Sequence, residues 1–121
     1  MTGHRLVARA ELYEQLKLAR TRALILDHVP SPGDVPRVPG GVLILYTGAD
    51  GSYFDFDVQI YVSASDPDVE TAQQSLLETI DAIDMALHDA TTGLPVERVI
   101  YAQALDAWVG TITVRMPRNE T

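Results

Sequence analysis

The chain has 121 residues, 46% of them hydrophobic, no cysteine, and a formal net charge of −8 at pH 7. That length fits one domain, residues 1–121, built on one core, and the absence of cysteine excludes disulfides, thiolate nucleophiles and cysteine metal sites. The negative charge argues against tight binding to a nucleic-acid backbone, no apolar run approaches the ~20 residues of a membrane span, and no basic, then apolar, then small-residue leader opens the chain, so cytosolic folding is expected.

Taken in order, residues 4–20 carry a helical spacing. Leu6, Ala10, Tyr13 and Leu16 form the expected stripe, widened by Leu12 and Ala19, and Thr2 or Gly3 is a weak cap. Ala23 to Asp27 is a short apolar run, expected as a strand. Residues 30–41 hold four prolines, which fix φ and remove backbone donors. Neither a helix interior nor a central strand tolerates that, so the segment is a long loop, either a connector or a contact element. Val42 to Tyr46 is apolar throughout and is expected to be buried on both faces or to lie at an oligomer contact. Asp50-Gly51 then supplies the chemistry of a tight hairpin turn, so the strands around it should pair antiparallel.

The next stretch organises the chain. Phe54, Phe56, Val58, Ile60 and Val62 alternate with Asp55, Asp57, Gln59 and Tyr61, which is period two and predicts a strand with a dry face and a wet face. From Val69 the apolar spacing changes to three and four, through Ala72, Leu76, Ile80, Ile83 and Leu87, and predicts an amphipathic helix to His88. Ser65 or Asp66 is the expected cap, with Pro67 at the first helical position and Asp68 and Glu70 at the positive end. Ala90 to Pro95 is expected to stop the helix.

Two further strands are expected at 97–104 and 108–116, joined by a short hairpin at Leu105-Asp106-Ala107. The second places Trp108, Gly110, Ile112, Val114 and Met116 on one side and Thr111, Thr113 and Arg115 on the other. Trp108 is expected in the core or as a buried contact anchor. Residues 117–121 form a polar, flexible tail. The element order predicts an α+β domain, a mainly antiparallel sheet of about four or five strands with two helices packed on one face.

No constellation carries secure catalytic chemistry. Asp81, Asp84 and His88 share a helix face at spacings that suit a divalent metal, but no other segment offers further ligands, and a solvated face is expected. Asp27-His28 could orient a general base, although a loop histidine beside a proline turn accounts for it. Asp55 and Asp57 project about 7 Å apart from one strand face and continue into Gln59 and Tyr61, which reads as an acidic surface or subunit contact rather than an acid–base pair. Gly48 to Gly51 precedes a strand and has no nearby lysine, unlike a phosphate loop. No catalytic residue, metal site or cofactor is therefore expected.

The distribution of charge is more informative. Arg5, Arg9, Lys17, Arg20 and Arg22 crowd the N-terminal segment, and no lysine or arginine occurs between Arg37 and Arg98, a gap filled with acids. A solvated acidic surface explains this, and so does head-to-tail packing of the basic end of one copy on the acidic flank of the next, a heterologous contact that closes into a ring.

Three stretches carry a resemblance: Leu26-Asp-His-Val-Pro30, Tyr53 to Val62 running into Ser-Ala-Ser-Asp-Pro-Asp68, and Ala107-Trp-Val-Gly-Thr-Ile-Thr-Val114. With the element order, they make residues 4–116 resemble the tail terminator, or tail-completion, proteins of siphophages, especially those of actinobacterial phages. The resemblance implies a structural, non-enzymatic protein of the virion tail-neck, assembled in the host cytoplasm. It implies a ring of copies, hexameric, that caps the tail tube, ends its polymerisation and meets the head–tail neck or stopper proteins. Genomic DNA would cross the lumen without specific binding. Under that reading Asp55, Asp57, Gln59 and Tyr61 are candidates for the lumen or a subunit contact, and Arg5, Arg9, Lys17, Arg20 and Arg22 are the candidate basic inter-subunit residues. The alternatives are another neck component, such as a head-closure protein, and a small α+β ligand-binding domain or enzyme.

Overall fold

Strict alternation decides the centre of the fold. The computed structural model describes residues 4–19, 22–65, 67–88 and 96–117. Within it Tyr53–Ser63 (β3) buries Phe54, Phe56, Val58, Ile60 and Val62 to 1% exposure or less, as the period-two pattern demands. β3 is flanked by two long antiparallel partners, Gly41–Asp50 (β2) and Ala107–Pro117 (β5). Val96–Ala102 (β4) continues the sheet antiparallel to β5, and the two-residue Leu24–Ile25 (β1) lies parallel on the far side of β2. The sheet order is β1-β2-β3-β5-β4.

His4–Leu18 (α1) and Val69–Leu87 (α2) both pack on the face that carries the buried residues of β3. The result is the expected α+β architecture, a mixed five-stranded sheet, mostly antiparallel, with two helices on it. Leu12 and Leu16 of α1 join Ala72, Leu76, Ile80, Ile83 and Leu87 of α2 in the core. Each such side chain contributes roughly 1.5–3 kcal/mol when fully withdrawn from water.

Several expected details differ. The α1 stripe runs through Ala8, Leu12 and Leu16, four apart, whereas Leu6 is 52% exposed and Ala10 is exposed. Contacts of Arg5 with the Tyr46 hydroxyl and of the Tyr13 hydroxyl with the Ile44 N–H hold α1 at a rotation that buries this stripe and leaves Leu6 outside. Val69 is 55% exposed because it opens α2 before the helix reaches the core. The α2 cap is Asp68, whose carboxylate accepts from the Thr71 N–H at 2.8 Å, so Pro67 precedes the helix instead of starting it. Ser65, one expected cap, therefore lies too early in the chain to cap the helix, and Asp66, the alternative, lies outside the described residues, as do residues 90–95 and 118–121.

The hairpin between β2 and β3 turns on Gly51 and Ser52, with Gly51 at φ +57, one residue later than expected. Between β4 and β5 the turn occupies residues 103–106, and Ala107 is already in β5. Asp106 there adopts φ +48, a region asparagine and aspartate enter more readily than most residues.

The second face of the sheet is not uniformly wet. Leu43, Tyr61 and Val109 form a smaller buried cluster, with Leu26, Val35 and Leu105 against it. The loop over residues 30–40 covers this end. It is held by the Ser63 N–H donating to Pro36 O at 2.9 Å and by Ser75 Oγ donating to Pro39 O at 3.3 Å. Gly40, at φ +94, lets it seat, since a Cβ there would stand 2.6 Å from Tyr61 O. The outer bend at Ser31–Asp34 is exposed and closed by its own turn hydrogen bond.

Two outcomes test this packing. Phe56→Ala should cost about 3–5 kcal/mol in denaturant unfolding, while Val69→Ala should stay within about 0.5 kcal/mol; equal effects would misplace the core. The Asp68 carboxyl is held below its ordinary 3.8, first by the Thr71 amide. Its contribution is therefore complete above the unfolded-state value and is lost as pH falls through the lowered folded-state value. Asp68→Asn keeps an acceptor but does not titrate, so thermal melts between about pH 2 and pH 5 should show a flatter acid limb than wild type.

Candidate functional site

The wet half of β3 faces a cross-strand ladder rather than open water. Register sets Asp55 opposite Arg115, Asp57 opposite Thr113 and Gln59 opposite Thr111. Arg115 Nε donates to Asp55 Oδ1 at 3.0 Å and its terminal nitrogen donates to Asp50 Oδ2 at 3.0 Å, with the guanidinium carbon 5.4 Å from the Tyr53 ring centre. Thr113 Oγ1 donates to Asp57 Oδ1 at 2.9 Å. One guanidinium thus ties the hairpin tip to the last strand, and both aspartates have partners. Hydrogen bonds to Asp55 and Asp50 hold Arg115 in its charged form, above its ordinary pKa.

Tyr61 departs from the expected surface role. It is 4% exposed and belongs to the second apolar cluster, and its hydroxyl donates to Gln59 Oε1. Burial pushes its phenol pKa upward. The loop over residues 30–40 covers it, a tertiary contact that alternation along one strand cannot reveal. The ladder that remains outward is formed by Asp50, Asp55, Asp57, Gln59, Thr113 and Arg115. By register Arg98 shares this face beside Thr111, so among the described strand residues of this face three carboxylates stand against two guanidiniums, a small negative excess.

The basic residues of the N-terminal segment separate into different roles. Arg5 Nε donates to Tyr46 Oη at 3.0 Å, and its guanidinium lies 5.3 Å from the Phe54 ring centre, so this side chain staples α1 to the sheet. Lys17 meets Glu14 of its own helix at 3.1 Å, in an exposed pair of the kind that adds little stability. Arg9 and Arg22 are exposed, and Arg20 lies outside the described residues. The acids of α2, Glu70, Glu78, Asp81 and Asp84, are all exposed, and that helix has no lysine or arginine.

The other sequence candidates do not converge. Asp81, Asp84 and His88 stay on the solvent side of α2, and among the described residues no three potential metal ligands come together. Asp27 Oδ1 accepts from His28 Nδ1 at 2.5 Å, which lowers the carboxyl pKa, but the side chains are 93% and 74% exposed and no third group among the described residues orients them. A hollow of about 580 Å³ lies between α2 and the loop at Val38–Pro39, with Arg22 and Glu78 at its walls. Its buried hydroxyls are already engaged, Ser75 with Pro39 O and Thr79 Oγ1 with Ser75 O at 2.9 Å. Trp108 is partly buried and meets Tyr101 edge-on, with ring centres 5.6 Å apart. Its Nε1 is buried without a partner among the described residues.

Sequence reasoning placed Arg115 and Thr113 on the side away from the core, but it did not pair them with the aspartates, because that pairing needs the β3–β5 register. No protein-family model matches the chain, and no match was found among curated proteins. No helix among the described residues is long and apolar enough to cross a membrane.

The ladder predicts unequal responses. Arg115→Gln should lower the melting temperature and speed amide exchange around Gly51 to Asp55, because the hairpin tip loses its tie to β5. Asp57→Asn still accepts from Thr113 and should leave both measurements near wild type.

Proposed function

We propose that this chain is a structural ring subunit of a siphophage tail, ending the tail tube at the neck and presenting the surface to which head-side proteins join. The observation that carries the reading is the two-sidedness of the sheet. One face is covered over β2, β3 and β5 by both helices, and the other holds a polar ladder, partly exposed and slightly negative. When such units stand side by side around an axis, the bulky helix layer takes the larger circumference and the ladder turns inward. Asp50, Asp55 and Asp57 then face the bore. A lumen of that character lets DNA pass without holding its phosphates.

The paired state of the ladder, the Arg5 staple and the engaged hydroxyls of the hollow support a part that is built to hold shape, not to turn over a substrate. The resemblance over residues 4–116 supports the same role. In this reading the partners are further copies of the chain, the tail tube protein and the neck or stopper proteins. The site of action is the virion tail-neck, after assembly in the host cytoplasm.

Native mass spectrometry of the purified protein should give a closed ring, with six copies the expected number. Electron microscopy of virions carrying a labelled copy should place it at the tail side of the neck. A label on the head side would assign it to head closure instead. A protein that stays monomeric at every concentration and is missing from particles would sink the reading. Asp55→Asn with Asp57→Asn should leave the fold intact while altering ring assembly or DNA passage.

A further inference from the structure

The two lateral sides of this molecule differ in a way that selects how one copy meets the next. On the β2 side, strand pairing is obstructed. β1 occupies Val42, the Ile44 N–H donates to the Tyr13 hydroxyl at 3.4 Å, and the register breaks between Tyr46 and Gly48. Short edge strands and bulges are the means by which sheets resist edge-to-edge growth. Tyr13 reaches that edge from α1, so the flank of α1 that carries it overhangs the β2 side. Arg9 and Lys17 stand one turn before and one turn after Tyr13, on the same flank. Leu6, two turns before it, is 52% exposed.

On α2 the opposite arrangement holds. Ser75 faces the loop through Pro39 O, while Ile80 lies over Gly110 of β5, where a Cβ would meet it at 3.1 Å. The flank beyond Ile80, toward β4, therefore carries Leu77, Asp81 and Asp84. Leu77 is 47% exposed and both aspartates are exposed. The helices pack on β2, β3 and β5. On the same side of the sheet, Tyr101 of β4 is left 46% exposed.

We propose that the outward flank of α1 in one copy docks on the outward flank of α2 in the next, with Arg9 and Lys17 against Asp81 and Asp84 and with Leu6 near Leu77. The inference rests on the ring reading above and names the surface that closes the ring. The sheet order puts α1 at the β2 side and α2 toward β5 and β4, so a rotation that sets copies head to tail brings these two flanks together and leaves both helices outside. The apolar pair supplies adhesion, while the charges fix register and exclude the reverse orientation. Exposed ion pairs are individually weak, so the seam should loosen as salt rises.

Charge reversal tests it. Arg9→Glu with Lys17→Glu makes both flanks negative, and Asp81→Lys with Asp84→Lys makes both positive. Each protein, shown to be folded by circular dichroism, should lose rings by at least tenfold in native mass spectrometry. Mixed together, the two should form alternating rings, because every heterotypic contact is again complementary, and such rings contain only even numbers of copies. Rings that form as in wild type from either variant alone would overturn the seam and leave the ring reading standing. So would folded variants that fail to assemble when mixed. A wild-type protein that forms no ring would instead remove the reading on which the seam rests.

Discussion

The structure depends on the inability of β3 to satisfy both of its faces with one kind of neighbour. Five large apolar side chains leave one side of the strand, at 1% exposure or less, and only helices supply enough apolar surface to cover them. The carboxylates on the other side need donors. Those donors come from β5, because β5 is the strand whose own alternation sets Arg115 and Thr113 at the matching heights. Once β3 is centred between β2 and β5, the positions of both helices, the hairpin and the ladder follow.

This constraint also redistributes the charge. The acids that interrupt β3 are spent within the molecule, Asp55 on Arg115 and Asp57 on Thr113. A separate group of exposed acids lies on α2, which carries no compensating cation. The basic segment divides likewise, since Arg5 is occupied by Tyr46 and the ring of Phe54. Proximity in the sequence therefore overstates both the acidic middle and the basic end as continuous surfaces.

Much of the architecture was legible without coordinates because two periodicities are clean. Alternation from Phe54 to Val62 and the spacing from Ala72 to Leu87 name their buried faces correctly, and Asp50-Gly51 marks the hairpin to within one residue. The first helix was harder to read. Leu6 and Ala10 match the spacing as well as Ala8 and Leu12 do, and the choice between stripes is made by tertiary contacts of Arg5 and Tyr13 with β2. The parallel pairing of β1 rests on two residues and has no local signal. Alternation puts Tyr61 on the solvent side with Asp55 and Asp57, whereas the proline-rich loop folds back over it. The candidate site was visible as composition but not as pairing, because register between strands more than fifty residues apart is a tertiary property.

That loop has a consequence of its own. From Pro36 to Gly40 it is clamped against two strands and a helix, and Gly40 and the adjoining Gly41 of β2 have neighbours that a methyl group would strike. From Ser31 to Asp34 it stands free, with Gly33 in open space. Among descendants of this gene, lengthening or shortening should collect at the outer bend and be purged from the clamped half. Two stretches of one proline-rich segment would then drift at very different rates.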